Sequence, residues 1–474
     1  MSSLKKNYFY SVIYQLLALI VPIVTIPYVS RVFGAEKLGV FSYTNTVAQY
    51  FTLFAMLGLN NYGVRTVAMV RDNQYKLSKT FTEIFAMQSF VAMIVLFLYL
   101  LFLFFMAGNY KLLYFILLLQ VASSLVDVNW FFFGTEQFGI TVLRNSIVKL
   151  LTLIFIFLLI KTQDDIWIYT LIHSVSILIS AVVLWPSVFH DISFIKPKFK
   201  KVISHVKPNL ILFVPIIAIS VYKYIDKIML GLYSVKEVGY FDNVEKILTV
   251  ALGFVTALGS VMLPRISNVI ANNNEEQAKS YLIRSMDFIM FLSIGIASGM
   301  CLMSTTFVPL YFGQGFLPCI GLMRVLGISA VFSAWANVIR TQFLIPYKKD
   351  KIYVWSVILG AILNFVGNLI LIPHIGAMGA AISTVVAELS VALTQSMSIK
   401  SQLPLWIMLK NSFLYILLGL SMVFVIGLVN YGQSLWLDAS LKFFLGGLYY
   451  TALSTLFNWK KWNLSNYIIK LKRY

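Results

Sequence analysis

The chain has 474 residues, 59% of them hydrophobic, 15% aromatic and only 12% charged, so it lacks the charged surface that a soluble protein of this size needs. Apolar runs of about 20 residues recur from end to end, each long enough to cross a hydrocarbon core of roughly 30 Å. The net charge of +19 would suit a nucleic-acid binder, but its basic residues sit in short segments between these runs, where they read as topological signal and lipid-headgroup contact.

The first run, Tyr8 to Val32, follows the basic stretch "MSSLKKN" and shows no small-residue cleavage site, so it reads as an uncleaved first span. Candidate spans, about 14 in all, begin near residues 8, 38, 80, 110, 138, 165, 208, 237, 281, 317, 351, 377, 405 and 436. The run near 237 is the weakest, because Asp242, Glu245 and Lys246 lie in its first turns. The longest connection, from about His190 to Lys207, is basic. Cys301 and Cys319 are the only cysteines, which argues against a disulfide framework or a metal site. The four histidines (His173, His190, His205, His374) are scattered, and no carboxylate–histidine constellation is visible. With no large external loop either, a membrane-bound glycan polymerase or acyltransferase is disfavoured, and no cofactor is expected.

Basic residues crowd the segments on the side of the N-terminus, among them Arg65, Arg71, Lys196, Lys198, Lys348 and Lys349. Only Arg31, Lys37, Lys111, Lys161 and Lys236 fall on the other side. The positive-inside rule then places both termini in the cytoplasm, which an even span count requires.

An internal repeat supports the count. "VPIVTIPYV" at Val21 recurs as "VPIIAISVY" at Val214, and "EKLGVFSY" at Glu36 as "KEVGYFDN" at Lys236, matching Gly39 with Gly239 and Phe41 with Phe241. Six spans separate the copies, and an even number returns the chain to the same side, so the halves are parallel repeats about an axis along the membrane normal. The expected organisation is a six-helix lobe over 1–200, a second over 201–402, and two further spans with a basic cytoplasmic tail over 403–474.

Ionisable groups inside spans cost several kcal/mol unless paired, hydrated or snorkelling. Lys149 lies about 16 Å into span 5, near the midplane, and Glu388 reaches a similar depth in span 12. Both point to a water-filled cavity. Asp127 and Arg144 sit at comparable depth on adjoining spans, where a structural ion pair competes with a functional role. Arg284, Arg324 and Arg340 lie near span ends and read as snorkelling side chains. Lys223, Asp226 and Lys227 share one helical face, either as an interfacial anchor or as the outer wall of an anion-accepting cavity. Pro22, Pro27 and Pro215 are candidate kinks for gating spans 1 and 7.

Four stretches taken together resemble one family: "TIPYVSRVFGAEKLGVFSYTNTVAQYF", "DVNWFFFGTEQFGITVLRNSIVK", "YIDKIMLGLYSVKEVGYFDNVEKI" and "LNFVGNLILIPHIGAMGAAISTVVAE". Their order is similar to that of the polysaccharide transport (Wzx-type flippase) family of the multidrug/oligosaccharidyl-lipid/polysaccharide exporter superfamily. The resemblance implies an all-α integral membrane protein: two six-helix lobes around a central cavity plus two C-terminal helices, working by alternating access. It implies undecaprenyl-diphosphate-linked oligosaccharides as substrate, membrane lipids as partners, a polysaccharide polymerase and a chain-length regulator as further partners, and the bacterial cytoplasmic membrane as location. Cationic lumen residues of the family would correspond to Arg31, Arg144, Lys149, Lys223 and Lys227, with Lys149 the most central. Glu388, Asp127 and Asp226 are the candidates for coupling to H⁺ or Na⁺. No G-x-x-x-x-G-K-[ST] loop is present, so no ATP motor is expected. A peptidoglycan-precursor flippase and a multidrug cation antiporter of the same superfamily are the alternatives; the second would want acids to dominate its cavity.

Overall fold

The computed structural model describes residues 2–429, 432 and 434–462, except for the side chains of 2–19, 215, 218, 219, 221–223, 260 and 459–462. The described residues form helices and connecting turns, with no strand among them. In chain order the helices are α1 (Ser2–Met56), α2 (Leu59–Ala68), α3 (Gln74–Phe105), α4 (Lys111–Ser123), α5 (Asn129–Gly134), α6 (Phe138–Leu159), α7 (Ile166–Val182) and α8 (Trp185–Asp191). There follow α9 (Phe199–Ser204), α10 (Val206–Tyr233), α11 (Val235–Ala271), α12 (Glu275–Tyr311), α13 (Cys319–Ile339), α14 (Asp350–Ser398), α15 (Leu405–Gly427) and α16 (Leu435–Trp462).

Eleven of the fourteen candidate span starts fall on these helices, and those near 110, 165 and 317 fall one or two residues before α4, α7 and α13. At 55 and 49 residues, α1 and α14 are each long enough for two crossings, and each is interrupted once. The interruption in α1 is Gly34, with φ 68° and ψ 177°; in α14 it is Ile375 with Gly376, the glycine at φ 53°. Positive φ is nearly free for glycine and costly for other residues, so one or two positions interrupt the helix where most proteins spend a loop. Pro22 and Pro27 lie within the first arm of α1, while the non-helical dihedral angles fall at Gly34. Between α10 and α11 one extended residue, Ser234, makes the same kind of break. The doubtful span near 237 is the first part of α11, where Asp242 is buried and Lys246, one turn on, pairs with it at 2.6 Å.

The chain divides into two compact units, Met1–Gly239 and Tyr240–Tyr474. In the first, the second arm of α1 runs along α10: Phe54 packs edge-on against Phe213, Tyr50 does the same with Tyr224, and the Tyr50 hydroxyl donates to the Ser220 carbonyl at 3.3 Å. The short helices α2, α5 and α8 gather at the basic end of this unit over a core that includes Phe81, Trp130, Phe131 and Leu184, all fully buried. In the second unit, α15 and α16 both pack on α12, around Met286, Ile289, Trp335 and Tyr415. Lipid is as apolar as leucine, so these contacts hold by close packing and hydrogen bonds rather than by escape from water.

Candidate functional site

The repeat seen in the sequence is a physical contact in the first unit. A Cβ built on Gly39 would lie 1.7 Å from the Val235 carbonyl oxygen, and one built on Gly239 would lie 1.9 Å from the Ala35 carbonyl oxygen. Both distances are far inside any tolerable contact, so the first turn after Gly34 and the first turn after Ser234 touch backbone to backbone. The contact is reciprocal: equivalent glycines meet equivalent carbonyls, as a two-fold relation between repeats demands. Only glycine allows this approach, which brings Cα–H groups onto carbonyl oxygens. One turn before Ser234, Gly231 is closed in the same way by the ring of Tyr43, 2.0 Å from where its Cβ would be.

At the opposite end of the unit, Arg144 on α6 is buried. Its guanidinium donates to the Ser180 carbonyl and, through Nη2, to Asn129 Oδ1 at 2.9 Å. Asp127 Oδ1 accepts from the Asn129 backbone N–H at 2.9 Å and from Asn129 Nδ2 at 2.6 Å. The two charges suspected of pairing are thus brought together with Asn129 bridging them, its amide oxygen toward the cation and its amide nitrogen toward the carboxylate. Behind this bridge stands Gln88 of α3, also buried. Its Nε2 donates to the carbonyls of Ser124 and Asp127 at 2.7 and 2.8 Å, and its Oε1 accepts from Trp130 Nε1 at 2.9 Å. One amide therefore fixes the turn that carries Asp127. Gln88→Leu would leave the indole N–H and two carbonyls unpaired, and is expected to lower unfolding free energy by more than about 2 kcal/mol. Thermal unfolding in detergent checks this; an unchanged midpoint refutes it.

The other sequence-derived candidates are dispersed. Lys149 is half-buried one and a half turns beyond Arg144 on α6. Arg31 is exposed one turn before Gly34, close to where the Tyr28 hydroxyl donates to the Ile160 carbonyl at 2.5 Å. Asp226 is buried and Lys227 half-buried on α10, while the side chain of Lys223 lies outside the described residues. Glu388, half-buried on α14, belongs to the second unit. Of the three arginines read as snorkelling, Arg324 donates to Ser304 Oγ at 2.8 Å and Arg340 lies over the Tyr353 ring at 5.5 Å. Two large cavities in the second unit, of about 690 and 450 Å³, are apolar and contain none of the candidate charges.

One expectation is corrected. A carboxylate–histidine contact does exist: His205 Nε2 lies 3.3 Å from Glu83 Oε2, and His205 Nδ1 lies 2.5 Å from the Tyr62 hydroxyl. The partners are 122 and 143 residues apart in the chain, so spacing alone could not reveal them. A carboxylate in the first turns of a span, opposite the histidine of the longest connection, was the available signal.

Apolar helices paired across breaks of one or two residues, an internal repeat, and cations retained in spanning helices define a multi-pass membrane protein. The solved structure titled "Lipid II flippase MurJ, inward closed conformation" has this fold: TM-score 0.75 and 17% identity, covering 96% of this chain and 99% of that one. Residues 4–270, more than half of the chain, match the family described as "Polysaccharide biosynthesis protein", and the chain belongs to that family. Curated relatives include a "Putative O-antigen transporter" of Shigella dysenteriae, 25% identical over 80% of this chain and 96% of its own length. A protein of the same description from Escherichia coli (strain K12) is 22% identical over 84% and 97%. These matches bear out the resemblance drawn from the sequence.

Proposed function

We propose that this protein is a flippase that moves lipid-linked oligosaccharide repeat units across the cytoplasmic membrane for surface-polysaccharide assembly. The observation that carries the reading is family membership combined with relatives, matched over nearly their whole length, that are described as O-antigen transporters. The chemistry of the chain agrees. A polyprenyl-diphosphate is an anion, and Arg144 and Lys149 are cations retained inside spanning helices, where ionisable groups mark functional candidates. An inside-negative potential pushes such an anion outward, by about 2.3 kcal/mol per charge per 100 mV. Glu388, Asp127 and Asp226 are the proposed acids for coupling to an inward H⁺ or Na⁺. Both termini are proposed to lie in the cytoplasm, a reading the distribution of basic residues supports, and a polymerase and a chain-length regulator are the proposed downstream partners.

Deleting the gene tests this directly. The expected outcome is loss of surface polysaccharide, accumulation of lipid-linked repeat units and continued cell-wall synthesis, all reversed by the wild-type gene. Unchanged surface polysaccharide would overturn the reading. Lysis with accumulated peptidoglycan precursor would replace it with the cell-wall alternative.

A further inference from the structure

Glu83, His205 and Tyr62 come from three separate elements, α3, the joint between α9 and α10, and α2, and they meet at the basic end of the first unit. The side chains of Glu83 and His205 are only 8% and 12% exposed. With Glu83 ionised, its oxygens can only accept a hydrogen bond, and the contact then places a proton on Nε2 of the imidazole. Nδ1 then has two possible states toward Tyr62: it accepts the phenol proton when the ring is neutral, or donates its own when the ring is a cation. The other carboxylate oxygen, Glu83 Oε1, is buried and has no hydrogen-bond partner among the described residues. A neutral ring leaves the buried carboxylate an uncompensated charge, whereas a protonated ring cancels it.

The charged surroundings would not otherwise attract a cation. α2 brings Arg65 beside Tyr62, α3 brings Lys79 one turn before Glu83, and the segment around His205 carries Lys200, Lys201 and Lys207. His205 also stands at the N-cap of α10, where the helix dipole opposes positive charge. On the arm of α1 that packs on α10, the last titratable residue is Tyr50, which bonds the Ser220 carbonyl fifteen residues along α10 from His205. Glu83 is the acid in contact with the ring and offsets these basic groups.

We propose that Glu83, His205 and Tyr62 form a proton-binding site that fastens the start of α10 to α2 and α3 when a proton is bound and loosens it when the proton leaves. Imidazole is the side chain suited to such exchange near neutral pH. No atom moves between residues except the proton: it enters at the ring, which goes from hydrogen-bonded imidazole to imidazolium paired with the Glu83 carboxylate. Because α10 runs on to Asp226 and Lys227, the site ties proton occupancy to the seating of a helix that carries charge at its far end. The site itself does not depend on the transported substrate.

The test reads docking, not transport. Met87 Sδ and Asn209 Nδ2 lie 4.0 Å apart, one turn beyond the site on α3 and α10, so Met87→Cys with Asn209→Cys reports whether α10 is seated. Ser356→Cys with Gln395→Cys, at a hydrogen-bonded pair 3.0 Å apart in the second unit, serves as the control for folding and thiol ionisation. Both pairs are placed in the full-length protein, in lipid nanodiscs, with Cys301 and Cys319 replaced. The ratio of cross-linking at the two pairs is expected to rise as pH falls from about 8 to 6, by up to about tenfold per unit, the limit for one linked proton. Glu83→Gln and His205→Gln should flatten the profile at its low level, and His205→Arg should flatten it at its high level. A flat wild-type profile, or an unchanged slope in Glu83→Gln and His205→Gln, would overturn the proposal.

Discussion

Gly39→Ala is expected to abolish most export while leaving the protein in the membrane. Its methyl group would sit 1.7 Å from the Val235 carbonyl oxygen, and a backbone oxygen cannot swing aside as a side chain can. The first turn of α11 would have to retreat by about 1.5 Å to restore ordinary contact, and such overpacking costs about 1–3 kcal/mol. That shifts the balance away from this arrangement by about 5- to 150-fold. Gly239→Ala should have a similar effect, because the reciprocal contact with the Ala35 carbonyl is equally tight. Gly299→Ala is the matched control, since its Cβ would meet nothing within 4 Å. Surface polysaccharide in the deletion strain, measured against protein amount in the membrane, gives the answer. If both glycine variants export at the wild-type rate, the crossing plays no part in the transport cycle.

Lys149→Ala is expected to separate function from stability. An insertion scale puts the cost of a lysine at a helix centre near 2.5–3.5 kcal/mol, so removing it should leave thermal stability unchanged or raise it. A cation that attracts a diphosphate should nonetheless be missed, with export falling about tenfold or more for the loss of one charge-assisted contact. Lys149→Arg keeps the charge and should keep more of the activity. Full export by the alanine variant would remove Lys149 from the transport path.

Much of this was legible in the sequence because membrane proteins write their spans in composition. The span starts lie on the long helices or within two residues of them, and the glycines of the repeat were matched before any contact between them was known. The reciprocal contact itself was not legible, since a shared glycine says that space is short without saying what fills it. The Asp127–Arg144 pairing was half-read: depth brought them together, but the bridge came from Asn129, two residues from Asp127 and in plain view beside it. Glu83 and His205 were missed because they lie 122 residues apart, Glu83 in the apolar start of α3 and His205 in the basic connection, and only the packing of α2, α3 and α10 brings them together. Lys149 was the easier candidate to find, because depth along one helix needs no knowledge of neighbours.

The one-residue breaks at Gly34 and Ser234 also bear on how the protein can be handled. A connection of one residue presents no loop to a protease or an antibody, and an epitope inserted there would pry apart the Gly39–Gly239 contact. The segment between α8 and α9, by contrast, is non-helical, and Ser193, Phe194, Lys196 and Lys198 are exposed there. Tags, labels and engineered cleavage sites belong in that segment, where the chain has length to spare.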